Sequence, residues 1–335
     1  MSRPFYNEPQ LTALVQDYGN EPNSLVADCV LPRTPVGKSI YKWTKFDEKS
    51  TYQVPNAFAG DCAQVHEVTP KASDIVISEV QDFALDIKIS QGLLQDANGA
   101  TACDSIGYDY VQTQVMNLLS MLRLAREKRV AGLVFDATAY TAAHKTDLTG
   151  VEFNAAANAS SPLDVIGDLS VSVPGSRYNW AVMNAKVFNV VRRHPDILGN
   201  VDLRGMASQE AVAAALGLAG ICVADSQFDT AINSLPVALQ DVWSNGILLF
   251  RRFGANTTET IEKHFGFTAQ KTFSLQENTN GQIVGAGMNG AGLSVGRFFD
   301  PKAGARGSWY YRVAESLDEV VVDYTQAHLI ENVIV

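Results

Sequence analysis

The 335-residue sequence contains no apolar run of about 18 residues, the length that a membrane-spanning helix requires. Its first ten residues, MSRPFYNEPQ, have no apolar core of a secretory signal peptide. Positive charge is also scarce: 26 lysines and arginines stand against 36 aspartates and glutamates, a formal net charge of −10. Because duplex DNA is bound mainly by cations that neutralise its phosphates, this balance argues against tight DNA binding over the whole surface. We expect no membrane span and no secretory signal.

The sequence also lacks the compact motifs of common catalytic and metal sites. It has no HExxH motif, no GxSxG nucleophile elbow and no GxxxxGK[ST] phosphate loop. Its five histidines are not spaced as metal ligands. The four cysteines, Cys29, Cys62, Cys103 and Cys222, share no CxxC spacing, and we expect reduced, mostly buried thiols. These absences predict no cofactor, no metal and no catalytic residues.

One stretch matches a cofactor motif by its letters alone. Gly285, Gly287 and Gly290 fit the pattern G-x-G-x-x-G. The dinucleotide-binding motif needs a strand before it and a helix after it, and the residues that follow, AGLSVGRFFDP, have no helical apolar stripe. We therefore interpret the three glycines as a tight loop. A nucleotide-dependent enzyme is kept as a remote alternative.

The strongest pattern in the chain is a long amphipathic stretch between Asp104 and Tyr140. Apolar residues recur at spacings of three and four: Val111, Val115, Leu118, Leu119, Leu122 and Val130. This predicts a helix of about 30 residues, long enough to act as the spine of a domain. A basic cluster lies near its end: Arg123, Arg126, Lys128 and Arg129. The candidate contact residues of the spine helix are Arg123, Arg126, Glu127 and Arg129. The cluster fits either a solvated helix face or a contact to another subunit or a polyanion.

Residues 1–35 are rich in proline and are expected to form an extended arm. The pattern of residues 36–68 predicts a long two-stranded loop. SIYKWTKF alternates apolar and polar residues, residues 47–50 supply the turn, and TYQVPNAF returns. An isolated hairpin is only marginally stable in water, so its aromatic rings need a surface on this chain or on another. The candidate contact residues of this loop are Tyr41, Trp43, Lys45, Phe46, Tyr52 and Phe58.

The remaining segments predict an α+β protein. Alternation indicates strands near Ile75–Val80 and Phe83–Ile89. Helices are predicted in SPLDVIGDL, where Ser161 caps and Pro162 begins the helix, and in AKVFNVVRRHPDIL and QEAVAAALGL. Short strands are predicted in WAVMN and SNGILLFRRF, and the apolar C-terminal tail must pair into a sheet.

The order of these segments resembles the major capsid proteins of tailed bacteriophages, which have the Hong Kong 97-type fold. LTALVQDYGNEPNSLVADCVLPRTPVGKSIYKW is similar to that family's arm entering its extended loop, and LAREKRVAGLVFDATAY to the end of its spine helix. NWAVMNAKVFNVVRRHPDI and VWSNGILLFRR are similar to later segments of its peripheral and axial domains. The tail RVAESLDEVVVDYTQAHLIENV is similar to its closing strands. The resemblance covers nearly the whole chain.

This resemblance implies a domain organisation and a function. The arm would be residues 1–35, the extended loop 36–68, the peripheral domain with its spine helix 69–172 and 301–335, and the axial domain 173–300. The chain would be a structural subunit and not an enzyme. Pentamers and hexamers of it would form an icosahedral head around double-stranded DNA, with the loop of Gly285, Gly287 and Gly290 near the axial centres.

The resemblance also implies partners and a location. The main partner would be further copies of this chain, together with a portal, a separate scaffolding protein and, where one is present, a decoration protein. The chain would enclose DNA without reading its sequence, and it would belong to the virion after assembly in the bacterial host cytoplasm. A cellular nanocompartment shell of the same fold is the alternative function.

Overall fold

The computed structural model describes residues 6–7, 25–45, 54, 58, 74–97, 110–155, 159–172, 178–201, 206–231, 236–252, 265–271 and 292–334. The strands of these residues are β1 (Tyr6–Asn7), β2 (Arg33–Val36), β3 (Ile40–Lys45), β4 (Asp74–Glu79), β5 (Gln81–Ser90), β6 (Lys145–Asp147), β7 (Trp180–Asn184), β8 (Gly220–Ala224), β9 (Gln227–Asp229), β10 (Leu239–Asp241), β11 (Ile247–Phe250), β12 (Gly266–Lys271), β13 (Leu293–Asp300), β14 (Ser308–Val321) and β15 (Ala327–Glu331). The α-helices are α1 (Ala27–Val30), α2 (Gln91–Ala97), α3 (Tyr110–Val134), α4 (Pro162–Ser172), α5 (Ala185–Val191), α6 (Pro195–Val201) and α7 (Gln209–Ala215).

The first sheet is built around the long strand β14. Residues 308–317 of β14 pair with β5, residues 308–315 pair with β13, and residues 316–321 pair with β12, all antiparallel. β2 adds to β12 in parallel, and β1 pairs with β13. The apolar C-terminal tail is thus paired into sheets, as its alternation predicted.

The second sheet has the strand order β6-β15-β11-β7-β8. β11 is antiparallel to both neighbours, whereas β6–β15 and β7–β8 are parallel pairs. One face packs against the helices α4 to α7. The other face packs against the arm around α1 and the end of α3. Because both faces are covered, β11 is buried at all four positions, which explains its continuous apolar sequence ILLF.

Helix α3 is the spine that the apolar spacing predicted, and it is 25 residues long. Its first half packs Val115, Leu119 and Leu122 against the first sheet. Its last turns place Val130 and Val134 against the second sheet. The predicted start near residue 104 lies outside the described residues.

Local helix signals are also confirmed. Helix α4 begins at Pro162, directly after Ser161, as the sequence indicated. Helix α7 is capped by Ser208, whose side chain accepts a hydrogen bond from the Ala211 N–H. After its last turn Gly217 takes a φ of +69°, a left-handed conformation that glycine adopts without steric cost.

The first strand predicted in the extended loop is confirmed as β3, whereas its predicted pairing with TYQVPNAF stays a prediction. β3 pairs with β4, so that Ile40 lies opposite Glu79 and Lys45 opposite Asp74. The predicted return segment, residues 51–58, lies outside the described residues except for Val54 and Phe58, which are both exposed. β4 contains the β-branched run Ile75–Ile77, which suits a ladder better than a segment that contains Pro55. β4 lies beyond residue 68, and the boundary predicted there for the extended loop stays a prediction.

Each of the two large sheets draws strands from more than one of the predicted domain ranges, and those ranges stay predictions. β12 and β13 fall in the range predicted for the axial domain, but they belong to the first sheet. β6 and β15 fall in the range predicted for the peripheral domain, but they lie in the second sheet. These pairings join segments that are far apart in sequence, and local alternation carries no information about such partners.

Two glycines provide a matched test of this packing. A Cβ atom on Gly132, within α3, would meet nothing within 4 Å, whereas one on Gly246 would lie 2.8 Å from the Ile330 carbonyl oxygen and 2.9 Å from the Phe135 ring. We expect Gly132→Ala to raise the free energy of unfolding by about 0.5–1 kcal/mol. Gly246→Ala should lower it by about 1–3 kcal/mol through overpacking. Urea unfolding of the two variants measures both, and equal effects would contradict the described backbone approach.

Candidate functional site

The buried carboxylate of Glu127 holds the arm on the spine helix. The first N–H groups of a helix have no partner within it. Glu127 supplies acceptors for two such groups. Its Oε1 accepts a hydrogen bond from the Val26 N–H at 2.7 Å, and its Oε2 accepts one from the Ala27 N–H at 3.0 Å. Oε1 also accepts from the Trp243 indole N–H at 2.8 Å. Burial raises the pKa of Glu127, and these donors oppose the rise. One side chain therefore joins the arm, α3 and the segment before β11.

Arg126, the preceding residue, links the arm to the first sheet. Its guanidinium is buried, with Nη1 2.8 Å from Asp28 Oδ1 in the arm. Nη2 donates to the Thr268 hydroxyl of β12 at 3.2 Å. The same hydroxyl donates to the Leu31 carbonyl oxygen at 3.0 Å. The arm is thus held from two sides by consecutive residues of α3.

Further charges surround this contact. Arg33 Nε donates to Asp28 Oδ1 at 2.8 Å, and Arg33 Nη1 lies 4.0 Å from Glu315 Oε2. Arg129 Nη2 lies 2.9 Å from Glu319 Oε1. The cluster of Asp28, Arg33, Arg126, Arg129, Glu315 and Glu319, here called the arm cluster, brings three positive and three negative side chains together.

Two acids of the arm cluster have pKa values shifted in opposite directions. Burial by itself raises the pKa of Asp28, but the guanidinium groups of Arg126 and Arg33 outweigh it and leave that pKa below its ordinary value. Burial raises the pKa of Glu315, and the arginines around it only partly offset that effect. Asp28 is half exposed, whereas Glu315 is fully enclosed.

The solvated-face interpretation of the basic cluster on α3 is wrong for Arg126, which is buried, and the neighbouring Glu127 is buried as well. Their partners, and that of Arg129, lie in the same chain. Arg129 also lies over the Phe83 ring, at 3.7 Å from its centroid. The signal was present in the sequence: a spacing of four places Arg126 on the buried stripe, between Leu122 and Val130. Arg123 is partly exposed, and its role in a subunit contact stays a prediction.

Two aromatic residues of the extended loop contact their own chain. The Tyr41 and Trp43 rings pack edge-on against Phe267 of β12, with centroids 6.4 and 6.1 Å away. The Tyr41 hydroxyl donates to Asp318 Oδ2 at 2.7 Å, and burial together with this bond raises the pKa of Tyr41. The Trp43 indole N–H donates to the Ser78 hydroxyl at 3.1 Å. The Trp43 ring covers part of the first sheet but stays partly exposed, and its role in a subunit contact stays a prediction.

The opposite face of this hairpin is exposed and carries three isoleucines beside the charged Lys42 and Glu79. Ile40, Ile75 and Ile77 are 59%, 67% and 62% exposed. The pairing register places Lys42 opposite Ile77 and Thr44 opposite Ile75 on the same face. We call Ile40, Lys42, Thr44, Ile75 and Ile77 the outer hairpin face. Three neighbouring exposed isoleucines are unusual for a surface that faces only water.

The remaining predicted contact residues are distributed as follows. Lys45 is exposed at the end of β3, and Phe58 is 79% exposed. Phe46, Tyr52, Gly285, Gly287 and Gly290 lie outside the described residues. The strands on either side of the three glycines, β12 and β13, belong to the first sheet, and the assignment of the glycines to an axial loop stays a prediction.

Among the described histidines, His328 has a buried structural contact. His328 is buried in β15, its Nε2 lies 2.8 Å from the Thr146 hydroxyl, and burial beside His144 lowers the pKa of His328 to about 4. Within the described ranges, no three His, Cys, Asp or Glu residues are grouped as metal ligands. In that same part of the chain, no helix has both the length and the apolar character to cross a membrane.

Comparison with known proteins places this arrangement beside phage capsids. The chain is 30% identical over 336 residues to the major capsid protein of Pseudomonas phage JBD67, covering 99% of this chain and 98% of that one. Its structure is similar to that of a phage-related protein of Bordetella bronchiseptica RB50, with a TM-score of 0.67, 19% identity and 99% of both chains covered. It is also similar to the capsid of an empty GTA particle, with a TM-score of 0.56, 15% identity and coverage of 95% and 97%. No family model matches the chain.

Removing the Glu127 carboxylate should release the arm. Glu127→Ala leaves two backbone N–H groups and one indole N–H without their acceptor, and we expect it to lower the free energy of unfolding by about 3 kcal/mol. Glu127→Gln keeps the size of the side chain and one acceptor oxygen, so it should cost about 1–2 kcal/mol. Urea unfolding measures the loss, and limited proteolysis reports cleavage in residues 25–36. The neighbouring Lys128→Ala is the control, and cleavage equal to that control would refute the anchoring role.

The arm cluster predicts opposite pH dependences for two variants. The lowered pKa of Asp28 means that its contribution is present above its unfolded value of 3.8 and is lost as the pH falls through its folded value. The stability advantage of the wild type over Asp28→Asn, measured as the free energy of unfolding, should therefore grow with pH.

The raised pKa of Glu315 means that its contribution to stability is present below 4.5 and is lost as the pH rises through its folded value. Relative to the wild type, Glu315→Gln should therefore gain stability as the pH rises. Urea unfolding between about pH 3 and 8 tests both trends, which must have opposite signs.

Proposed function

The chain belongs to the phage major capsid proteins, and we propose that pentamers and hexamers of it form a closed icosahedral shell around double-stranded DNA. The observation that carries this proposal is the 30% identity to a phage major capsid protein across 99% of the chain. The fold is α+β and of Hong Kong 97 type, in agreement with its structural neighbours. The protein is thus a structural component of the virion.

The outer hairpin face is the part of the chain that we assign to a neighbouring subunit. The inner face of the same hairpin packs on Phe267 of its own chain, whereas the outer face is exposed in the described part of the chain. Burying exposed isoleucine side chains contributes roughly 25 cal/mol for each Å² removed from water, and isoleucines on a strand present their area in a fixed orientation. A second copy of this chain is the occupant that a homo-oligomeric shell supplies.

The charge of the chain suits a container for DNA. Tight binding to a duplex requires many cations, and this chain carries a net charge of −10. DNA would therefore be enclosed without sequence-specific contacts. Assembly in the host cytoplasm, with a separate scaffolding protein, a portal and, where present, a decoration protein, completes the proposal.

Electron microscopy of the purified protein, with light scattering in parallel, tests the assembly directly. We expect closed shells, or rings of five and six subunits. The same experiment with the products of neighbouring genes supplies any scaffold that is needed. A protein that stays monomeric under both conditions would refute the proposal.

Two variants of the hairpin separate assembly from folding. Ile75→Thr combined with Ile77→Thr removes apolar area from the outer hairpin face but keeps β-branched residues, so the unfolding free energy of the subunit should change by less than about 1 kcal/mol. Assembly should require at least about tenfold more protein, as expected when roughly 1.4 kcal/mol of contact energy is lost.

Trp43→Ala is the contrasting variant, because loss of its packing on Phe267 should lower the subunit's unfolding free energy by about 2 kcal/mol. Light scattering and urea unfolding on both variants decide the matter, and normal assembly of the double variant would contradict the assignment.

A further inference from the structure

Two of the four cysteines meet in the described part of the chain. Cys29 of α1 and Cys222 of β8 are bonded to each other, with Cα atoms 6.7 Å apart and 193 residues between them in sequence. This Cα distance is within the range of about 4.4–6.8 Å over which disulfides form without backbone movement. The expectation of reduced, separate thiols is therefore wrong for this pair. Neither a CxxC spacing nor any other local pattern could have indicated it.

The pair lies where the arm meets the second sheet. Cys29 is partly exposed and Cys222 is buried, within the apolar cluster that also contains Val26 and Val30 of the arm. Glu127 and Arg126 hold the same segment by hydrogen bonds from the side of α3. A bond to Cys222 adds a covalent connection to β8, the edge strand of the second sheet.

The guanidinium of Arg252 lies beside Cys29 Sγ, the more exposed of the two sulfur atoms. Arg252 Nη1 donates to Cys29 Sγ at 3.4 Å. Arg252 is itself held, because its backbone N–H donates to Asn179 Oδ1 at 2.7 Å and its guanidinium lies over the Trp180 ring, at 4.8 Å from the centroid. Arginine keeps its positive charge at neutral pH, and a guanidinium next to a cysteine favours the thiolate, which is the reactive form. The charge of the adjacent Asp28 is already paired with Arg126 and Arg33.

We propose that Cys29 and Cys222 form a redox clip that fastens the arm to the second sheet, with Cys29 as the attacking thiolate and Arg252 as its activating residue. A small disulfide such as oxidised glutathione is the oxidant. The Cys29 thiolate attacks one glutathione sulfur and releases the first glutathione thiolate. Cys222 then loses its proton and attacks Cys29 Sγ, which releases the second. The protein loses two electrons and two protons, and one glutathione disulfide becomes two molecules of reduced glutathione.

The Cys29–Cys222 bond fastens the arm covalently, and it requires no rearrangement because the two cysteines are already neighbours. A disulfide stabilises mainly by restricting the unfolded chain, and the effect is larger when the closed loop is long. In a reducing medium the arm is held by noncovalent contacts: the hydrogen bonds and ion pairs of α3, the apolar packing of Val26 and Val30, and the pairing of β2 with β12. In an oxidising medium it cannot leave the second sheet unless the bond is reduced. The inference does not depend on shell assembly.

The test uses the full-length protein in two redox states. The protein is reduced with a phosphine, freed of reductant and incubated with oxidised glutathione, and free thiols are alkylated before peptide mass spectrometry. We expect a peptide pair joined through Cys29 and Cys222 that disappears on reduction. The oxidised protein should melt about 5 °C higher than the reduced protein. Cys29→Ser and Cys222→Ser should each melt like the reduced wild type in both states.

Controls separate the clip from general thiol chemistry. The double variant Cys62→Ser/Cys103→Ser should behave like the wild type. Absence of the joined peptide after incubation with oxidised glutathione would overturn the clip, as would a redox-dependent melting temperature that persists in Cys222→Ser.

Arg252→Gln should slow formation of the bond several-fold at neutral pH but not at about pH 9, where thiols ionise unaided, and Arg252→Lys should restore much of the rate. A wild-type rate in Arg252→Gln would overturn the role of Arg252.

Discussion

The structure depends on a buried carboxylate that serves as an acceptor for a segment with no core of its own. Glu127 accepts hydrogen bonds from two backbone N–H groups of the arm and from the Trp243 indole N–H. A buried charge is costly unless it is fully hydrogen-bonded, and removing one partner of such a group costs more than the bond itself contributes. The arm, the spine helix and the second sheet are therefore coupled at this residue.

The spine helix connects the arm to both sheets. Its first half packs on the first sheet through aliphatic residues, and its last turns pack on the second. Arg126, beside Glu127, reaches Asp28 in the arm and Thr268 in the first sheet. Charged residues at these positions do more than provide solubility, because they fix where the arm lies. A well-packed apolar pair could be as stable, but it would not direct the N–H groups of α1 toward one acceptor.

Because the subunit is held together by these contacts, the β3–β4 hairpin stays folded although its outer face is exposed. The β3–β4 hairpin is supported on its inner face by Phe267 and by the bond from Tyr41 to Asp318. Its exposed outer face is the surface that we assign to a neighbouring copy. The same logic applies to the arm, whose internal anchors are hydrogen bonds, ion pairs and the Cys29–Cys222 bond. Shell formation on this view uses surfaces that are already ordered within the subunit, which lowers the entropy lost on association.

Local patterns in the sequence were enough to predict several elements of the fold. The period of the apolar residues predicted the spine helix, Ser161–Pro162 predicted the start of α4, and the order of segments indicated the family. Tertiary structure alone decided which strands pair, so that β3 joins β4 and both β12 and β13 join the first sheet. It also decided the burial of Arg126 and Glu127 and the meeting of Cys29 with Cys222. The physical reason is that periodicity shows which face of an element is buried, whereas the partner of that face depends on contacts between residues that are distant in the chain.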